Sequence, residues 1–583
     1  MHFSASSGSS SDLQAQCDRR RRTRILLAAA ITAALGAAFV AACSSSPANP
    51  PPTLGPDGGS DGGADTSSST IGPDSSASSD VATSLDAGAV DTGEDVFMPE
   101  DSGADWLVPP NIPRDAGEST LAPLRQSCAF EAGAWPAQTV GNDYPIGSDI
   151  PINHILVIMQ ENRSFDHYLG RLVTQGYYSA GDFTTPPDGG TDDAGDASAG
   201  SGFAHSDQVD VDPTGWAVPD ADGGLVPPHP DNEYCYGVDH SWGGQHNDWD
   251  NGLNDGFVKQ NNPDGQRTMF YQDDSVIPFY YALADTFSIG DRYFCSVLSS
   301  TWPNRFFLMA GTSFGIGDNS ACPVDTVANP APQIFLSLEA GGHTWMDYTD
   351  GPHMEEFFPN FGFGPDALAH YGNVTTGKCN LFSDIRNGTL PDVGFMMGDE
   401  VSQFSDEGPS NLPGIGGHLV EEIIRALWES PSWKDTAVFI TYDENGGLAD
   451  HVPPAPACEP DGYVAQDGNG TALSHAPGTT GFNQTGFRVP FYVVSPYAKK
   501  HFVSHLVHDH SSILRFIETR FGLPALTGRD ANSTPPMEMF DFQNPPFMTP
   551  PTITATTSVA QSILTQCNET LPPSTCYPDG GTQ

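Results

Sequence analysis

The run Pro151–Gly170, "PINHILVIMQENRSFDHYLG", passes without a break from Ile155-Leu156-Val157-Ile158-Met159 into Gln160-Glu161-Asn162-Arg163-Ser164. Five consecutive apolar residues with no polar alternation fit a strand buried on both faces, as in a parallel sheet covered by helices. The polar residues that follow have a local explanation, because a strand that ends in a turn needs a cap for the next helix, and Asn162 or Ser164 supplies one. The same residues also carry a carboxylate, an amide and a guanidinium to the end of a buried strand.

The same grammar recurs in "DVGFMMGDE" (392–400), "AVFITYDENGG" (437–447) and "FRVPFYVVSPY" (487–497). Helical patterns separate these runs. "GGHLVEEIIRALWES" (416–430) puts Leu419, Ile423 and Leu427 on one face, and "HSSILRFIETRFG" (510–522) ends at a glycine stop. Together they predict an α/β fold, a mostly parallel sheet with helices on both faces. Such sheets bind ligands beyond the carboxyl ends of their strands. Glu161-Asn162 and Asp443-Glu444 both fall there, and hard divalent cations favour carboxylate oxygens. Taken singly, each pair reads equally well as a helix cap.

Two further groups could serve chemistry. "CSVLSSTWPNRFFLMAGTS" (295–313) sets Ser299, Ser300 and Thr301 before Trp302-Pro303. A hydroxyl is a poor nucleophile at neutral pH unless a base or a metal ion activates it. No GxSxG elbow accompanies these residues, which argues against an ordinary serine hydrolase; three adjacent hydroxyls also suit a solvated turn. Histidines stand at His240 and His246, His343 and His353, His451 and His510. A histidine among aromatics is more often packed than reactive, and His240, in a polar loop with little packing reason to hold it, is the strongest candidate.

Composition limits the function classes. The 73 acidic residues against 23 basic give a formal charge of −50, which argues against nucleic acid as a partner because phosphate backbones need clustered Lys and Arg, although much of the acidic excess lies in linkers. Residues 1–43 read as an export signal. The basic stretch Arg19–Arg24 precedes the Ala-rich apolar run Ile25–Ala42, which ends at Cys43 in the manner of a lipoprotein signal box. A run of this length is just able to span a bilayer, but the small residues at its end favour cleavage and a lipid anchor at Cys43. The expected location is the cell envelope or outer membrane, with release to the outside as a variant. Residues 44–115, rich in Ser, Gly, Asp and Pro, are expected to be a disordered linker, as is the insert 186–202. The folded domain is expected at 116–550, followed by a tail (551–583) that contains Cys567 and Cys576. Of ten cysteines, Cys17 and Cys43 belong to the signal; the remaining eight suggest disulfides in an oxidising compartment, with the pairing open.

The blocks "ILVIMQENRSFDHYLG", "HSWGGQHNDWDNG", "STWPNRFFLMAGTS", "GTLPDVGF", "FITYDENGGLADHVPP", "GFRVPFYVVSPYA" and "DHSSILRFIETRFGLPALTGRDANS" resemble, in order, those of the bacterial phosphoesterase family of phospholipases C and acid phosphatases. The resemblance implies an alkaline-phosphatase-like core and a divalent metal ion (Ca, Mg, Mn or Zn) bound by Glu161, Asn162, Thr301, Asp443 and Glu444. It implies an ion-activated Thr301 that attacks phosphorus in line, with the resulting phosphothreonine released by water, and a role for His240 at the phosphoryl group or leaving oxygen. The implied substrates are phosphate esters, either phospholipids or small monoesters. Two positions depart from the family. Gly408, in Asp406-Glu407-Gly408-Pro409, stands where a Glu-His-Pro block is common, and His353-Met354 keeps one histidine of a common His-His pair. Both departures remove donors near the phosphate, so a catalytically impaired surface-anchored binding protein with the same fold is the alternative. A sulfatase-like hydrolase is disfavoured because no Cys/Ser-x-Pro-x-Arg block occupies the nucleophile position.

Overall fold

The computed structural model describes residues 110–183, 215–231, 237–263, 265–319, 332–350, 353, 358, 368–375, 378–398, 406–408, 412–468 and 470–559. The signal segment with Cys43, most of the expected linker, the insert 186–202, Met354, Cys235, Cys322, Cys567 and Cys576 lie outside the described residues.

One eight-stranded sheet organises the chain. Its strands are β1 (His154–Gln160), β2 (Ser288–Gly290), β3 (Trp345–Tyr348), β4 (Tyr371–Gly372), β5 (Val393–Met397), β6 (Thr436–Tyr442), β7 (Tyr492–Val494) and β8 (Phe502–Ser504). Their spatial order is β8-β2-β7-β6-β1-β5-β3-β4. β1 lies at the centre, parallel to β6 in the register Ile158↔Ile440 and to β5 in the register Ile158↔Met396. β3 continues the parallel set beyond β5, and β4 beyond β3. β7 is antiparallel to both β6 and β2, so the 487–497 run expected to join a parallel array is the one reversed strand.

The apolar runs behave as their composition dictates. Ile155–Met159 are fully buried, as are Ala437–Ile440, because both faces of these central strands are covered. Each large side chain so buried stabilises the fold by about 1.5–3 kcal/mol relative to exposure. Five helices bear on the site: α1 (Phe165–Leu169), α2 (Trp242–Trp249), α3 (Thr301–Ala310), α4 (Pro413–Glu429) and α5 (His510–Phe521). In α4, Pro413 occupies the first turn, where its missing N–H costs nothing, and Leu419, Ile423 and Leu427 are buried on the predicted face. α5 ends at Gly522, whose φ of +66° is the left-handed stop that favours glycine. Residues 551–559 continue onto the domain: Arg425 of α4 donates to the carbonyls of Ile553 and Ala555 at 3.1 and 2.7 Å. No helix among the described residues is long and apolar enough to cross a membrane.

A disulfide joins Cys128 to Cys458, and Cys379 is also disulfide-bonded, whereas Cys295 is a free, buried thiol. An even cysteine count therefore does not translate into complete pairing. Cys295 packs so close to Gly486 that a Cβ there would lie 2.3 Å from its sulfur, and this tight packing is what shields it.

Candidate functional site

The strand ends of β1, β5 and β6 form one rim. The ladder continues one residue past the strands: Asp443 N–H donates to the Gln160 carbonyl at 3.0 Å and Gly398 N–H to the Met159 carbonyl at 2.9 Å. These bonds set Asp443 beside the Gln160–Glu161 segment. Asn162 then turns the chain with φ +60°, a conformation Asn tolerates better than most residues. The cap of α1 is Ser164 rather than Asn162: Ser164 Oγ accepts from His167 N–H at 3.1 Å and donates to the Ala449 carbonyl at 2.8 Å. Asn162 is thereby left out of helix capping, and its buried Oδ1 engages no hydrogen-bond partner.

Thr301 opens α3 on the same rim. Asn304 holds the preceding loop, its amide donating to the carbonyls of Ser299 and Ser300 at 2.9 and 3.1 Å and its Oδ1 accepting from Val297 N–H at 3.0 Å. Ser299 Oγ donates to the Gly317 carbonyl at 2.6 Å, so of the three adjacent hydroxyls this one serves the loop. Thr301 Oγ1 is buried without a hydrogen-bond partner. One turn later, Arg305 places its guanidinium between two acids. It donates to Glu161 Oε1, to Asp443 Oδ2 at 3.2 Å and to the Gly398 carbonyl at 3.4 Å, and so ties together the ends of β1, β6 and β5.

Glu444, fully buried, is held from another direction. Gln245 of α2 donates from Nε2 to Glu444 Oε2 at 2.9 Å and to the Ser299 carbonyl at 2.7 Å. His240 lies next to it, Nε2 to Glu444 Oε1 at 3.9 Å, with Nδ1 bonded to the Val238 carbonyl at 2.9 Å. The approach depends on Gly447, at φ +70°, where a Cβ would stand 2.7 Å from the Asp239 carbonyl oxygen. The glycines of Asp443-Glu444-Asn445-Gly446-Gly447 are thus what admit the His240 loop to the rim.

The other histidines divide. His353, at the carboxyl end of β3 and two strands from β1, faces Asp347 through Nδ1 at 3.1 Å and stacks on Tyr371 at 3.8 Å between centroids. His510 reaches the site through the backbone: Nε2–H donates to the Asp443 carbonyl at 2.8 Å, and Nδ1 accepts from Tyr293 Oη at 3.0 Å. Burial drives its pKa down to about 4, so it is a neutral strut. His246 stacks on Trp242, and burial likewise lowers it to about 4. His343 lies at the opposite edge, 3.7 Å from Asp392, which precedes β5.

His451 belongs to a separate ionic network with Asp166 and Asp450, whose ligand atoms lie within 4.8 Å of one another. Arg488 already sits among them, bonded to Asp450 Oδ1 at 2.8 Å and Asp166 Oδ1 at 3.0 Å. Burial opposes the charge on Asp166, but His451 and Arg488 outweigh it and hold its pKa down. Two anions against an arginine and a histidine balance without an added cation, which makes this network a brace between α1 and the 449–451 loop. Glu407, which precedes Gly408, is buried among Tyr168, Tyr280 and Tyr442, and Arg163 clamps the same segment by donating to the Glu407 and Gly408 carbonyls.

The ion implied by the resemblance fits the residues present. Three buried carboxylates, an amide oxygen and a hydroxyl oxygen stand on the same rim, the last two with no protein partner, and Arg305 sits between the Glu161 and Asp443 carboxylates. Glu161, Asn162, Thr301, Asp443 and Glu444 are the residues that would hold it. Arg305 and Gln245 were missed from sequence. Arg305 had a signal, a lone cation in an apolar helical run four residues after Thr301; Gln245 had none.

The Phosphoesterase family model matches residues 152–524. Phospholipase C B of Mycobacterium tuberculosis is 32% identical over 450 residues, covering 71% of this chain and 82% of its own length. Phospholipase C A of the same organism is 30% identical over 466 residues, covering 74% and 86%. A solved protein of the alkaline phosphatase superfamily from Vibrio parahaemolyticus shares 10% identity at a TM-score of 0.27, covering 45% of this chain and 63% of its own. The family match over most of the folded region and the extent of the first two likenesses give the conclusion: the chain belongs to the phosphoesterase family and is a hydrolase of phosphate-ester bonds.

Proposed function

We propose that the chain is an exported, metal-dependent phosphoesterase of phospholipase C or acid-phosphatase type, with Thr301 as nucleophile and a divalent ion held by Glu161, Asn162, Thr301, Asp443 and Glu444. The observation that carries this reading is the pair of buried oxygens without partners, Thr301 Oγ1 and Asn162 Oδ1, beside three buried carboxylates. A divalent ion bound there supplies Lewis acidity, lowering the pKa of a hydroxyl and neutralising charge on phosphoryl oxygens. Thr301 attacks phosphorus opposite the leaving oxygen and is later freed by water. As the first residue of α3 it also stands at the positive end of the helix dipole, which favours the incoming anion. With Nδ1 bonded to Val238, His240 carries a proton on Nε2 when charged, and that proton passes to the leaving oxygen. His353, oriented by Asp347, contacts the outer phosphate oxygens or the alcohol. The export segment and Cys43 put this chemistry at a membrane surface, which favours phospholipid as one substrate class.

The test uses purified chain, p-nitrophenylphosphorylcholine and p-nitrophenyl phosphate. Thr301→Ala is expected to lower kcat by at least about a thousandfold on the better substrate, and chelation to abolish turnover until Mn2+ is restored. Activity that survives Thr301→Ala would remove Thr301 from the role. The binding-protein alternative rests on Gly408, which stands where the family block commonly has histidine; a Cβ built there would lie 3.1 Å from Asp406 Oδ2, so a side chain requires that carboxylate to shift. A chain that binds Mn2+ but turns over neither ester, and gains turnover in Gly408→His, would establish that alternative.

A further inference from the structure

The mechanism above does not use Arg305, a buried cation on the rim itself. Arg305 is almost fully enclosed, and the two carboxylates it joins, Glu161 and Asp443, are also buried. A guanidinium in that position is not a surface ion pair of little consequence, because all three charges are removed from water, where an uncompensated member is costly. It reaches two carboxylates and the Gly398 carbonyl at once, so its positive charge stands between Glu161 and Asp443. Its place on α3, four residues after Thr301, fixes it one helical turn from the nucleophile.

The charge count gives this placement a consequence. The three carboxylates of Glu161, Asp443 and Glu444, one divalent ion and the guanidinium sum to zero. Without the guanidinium the loaded shell would keep a net negative charge in a low-dielectric pocket, facing a substrate that is itself an anion. A second divalent ion is the other cation that could fill the gap between those carboxylates, since two-metal phosphoryl-transfer sites use one there for the same charge.

We infer that Arg305 is a built-in cation of the ligand shell, which occupies the gap between Glu161 and Asp443, limits the site to one divalent ion and leaves the loaded pocket neutral towards a phosphate-ester anion. This rests on the five-residue ligand set proposed above. Arg305 orients carboxylates and balances charge, and neither role requires it to touch the reacting atoms.

The experiment is titration calorimetry of the full chain with Mn2+ and then, in saturating Mn2+, with inorganic phosphate, on the unaltered protein, Arg305→Lys and Arg305→Gln. The unaltered protein is expected to take one ion per chain. Arg305→Gln is expected either to bind phosphate at least about tenfold more weakly or to take up a second ion, while Arg305→Lys, which keeps the charge, stays within about threefold of the unaltered protein. Unchanged stoichiometry with phosphate affinity within about threefold in Arg305→Gln overturns the inference, as does equal loss in Gln and Lys variants, which would make geometry rather than charge decisive. If Arg305→Gln fails to fold, the stoichiometry of the unaltered protein decides, since two ions per chain refute the inference directly. A chain that binds no Mn2+ at all refutes the ligand set instead, so the two failures are distinguishable.

Discussion

Glu407 gives the clearest quantitative prediction, because its environment is closed on every side. Its side chain is fully buried, Tyr168 and Tyr442 donate to Oε2 at 2.6 and 2.8 Å, and Tyr280 donates to Oε1 at 2.5 Å. Burial pushes its pKa up from 4.5 to about 7; the three hydroxyls and Arg163 oppose this without cancelling it. Between those values the unfolded chain is ionised at this position and the folded chain is protonated, so the folded state binds more protons and stability must fall as pH rises. For a shift from 4.5 to about 7, the loss attributable to Glu407 between about pH 5 and pH 8 is about 2.5 kcal/mol. Glu407→Gln keeps the shape and leaves the tyrosine hydroxyls free to rotate, but it cannot ionise. Urea unfolding of both proteins at intervals over that range reads the difference directly. The stability of the unaltered protein should decline relative to the variant by about that amount, and the variant should overtake it near neutrality. Two parallel pH profiles would refute the reasoning. The outcome bears on the site because Glu407 anchors the segment that presents Gly408, and Arg163 ties the same segment to the rim.

Further perturbations test other parts of the structure. Gly447→Ala places a Cβ 2.7 Å from the Asp239 carbonyl oxygen in a left-handed conformation, so the His240 loop must retreat; kcat should fall about tenfold, measured alongside an unchanged Mn2+ stoichiometry. Chelation should lower the melting temperature by about 5 °C through repulsion among Glu161, Asp443 and Glu444, with recovery on adding Mn2+ in a thermal scan. Cys458→Ser removes a link that closes 330 residues of sequence separation, and urea unfolding should show a loss of about 4 kcal/mol. Phe439→Ala, which empties a site packed by Phe491, Phe516 and Phe540, should cost about 4 kcal/mol in the same assay.

Much of the architecture was legible in the chain because burial on both faces demands continuous apolar strands, and the resulting runs at 155–159, 393–397 and 437–440 announce themselves. Their polar sequels placed Glu161, Asn162, Asp443 and Glu444 at the rim because an open α/β sheet presents its strand ends there. The reversal of β7 was not legible, since an apolar run has no direction until its neighbours are known. Cap and candidate ligand were also inseparable in sequence: Ser164 takes the helix cap and frees Asn162, a choice made by the backbone turn at φ +60°.

The sequence by itself determined the sheet, the rim and the family of chemistry, through periodicity and block order that any chain of this pattern must express. Only the tertiary structure decided which charges face one another. Arg305 meets Glu161 across 144 residues of chain and Gln245 meets Glu444 across 199, and no local signal encodes an electrostatic partner at that separation. The same separation hid the neutral strut of His510 and the brace of Arg488, because burial and pairing of charge are properties of the closed fold rather than of the segments that enter it.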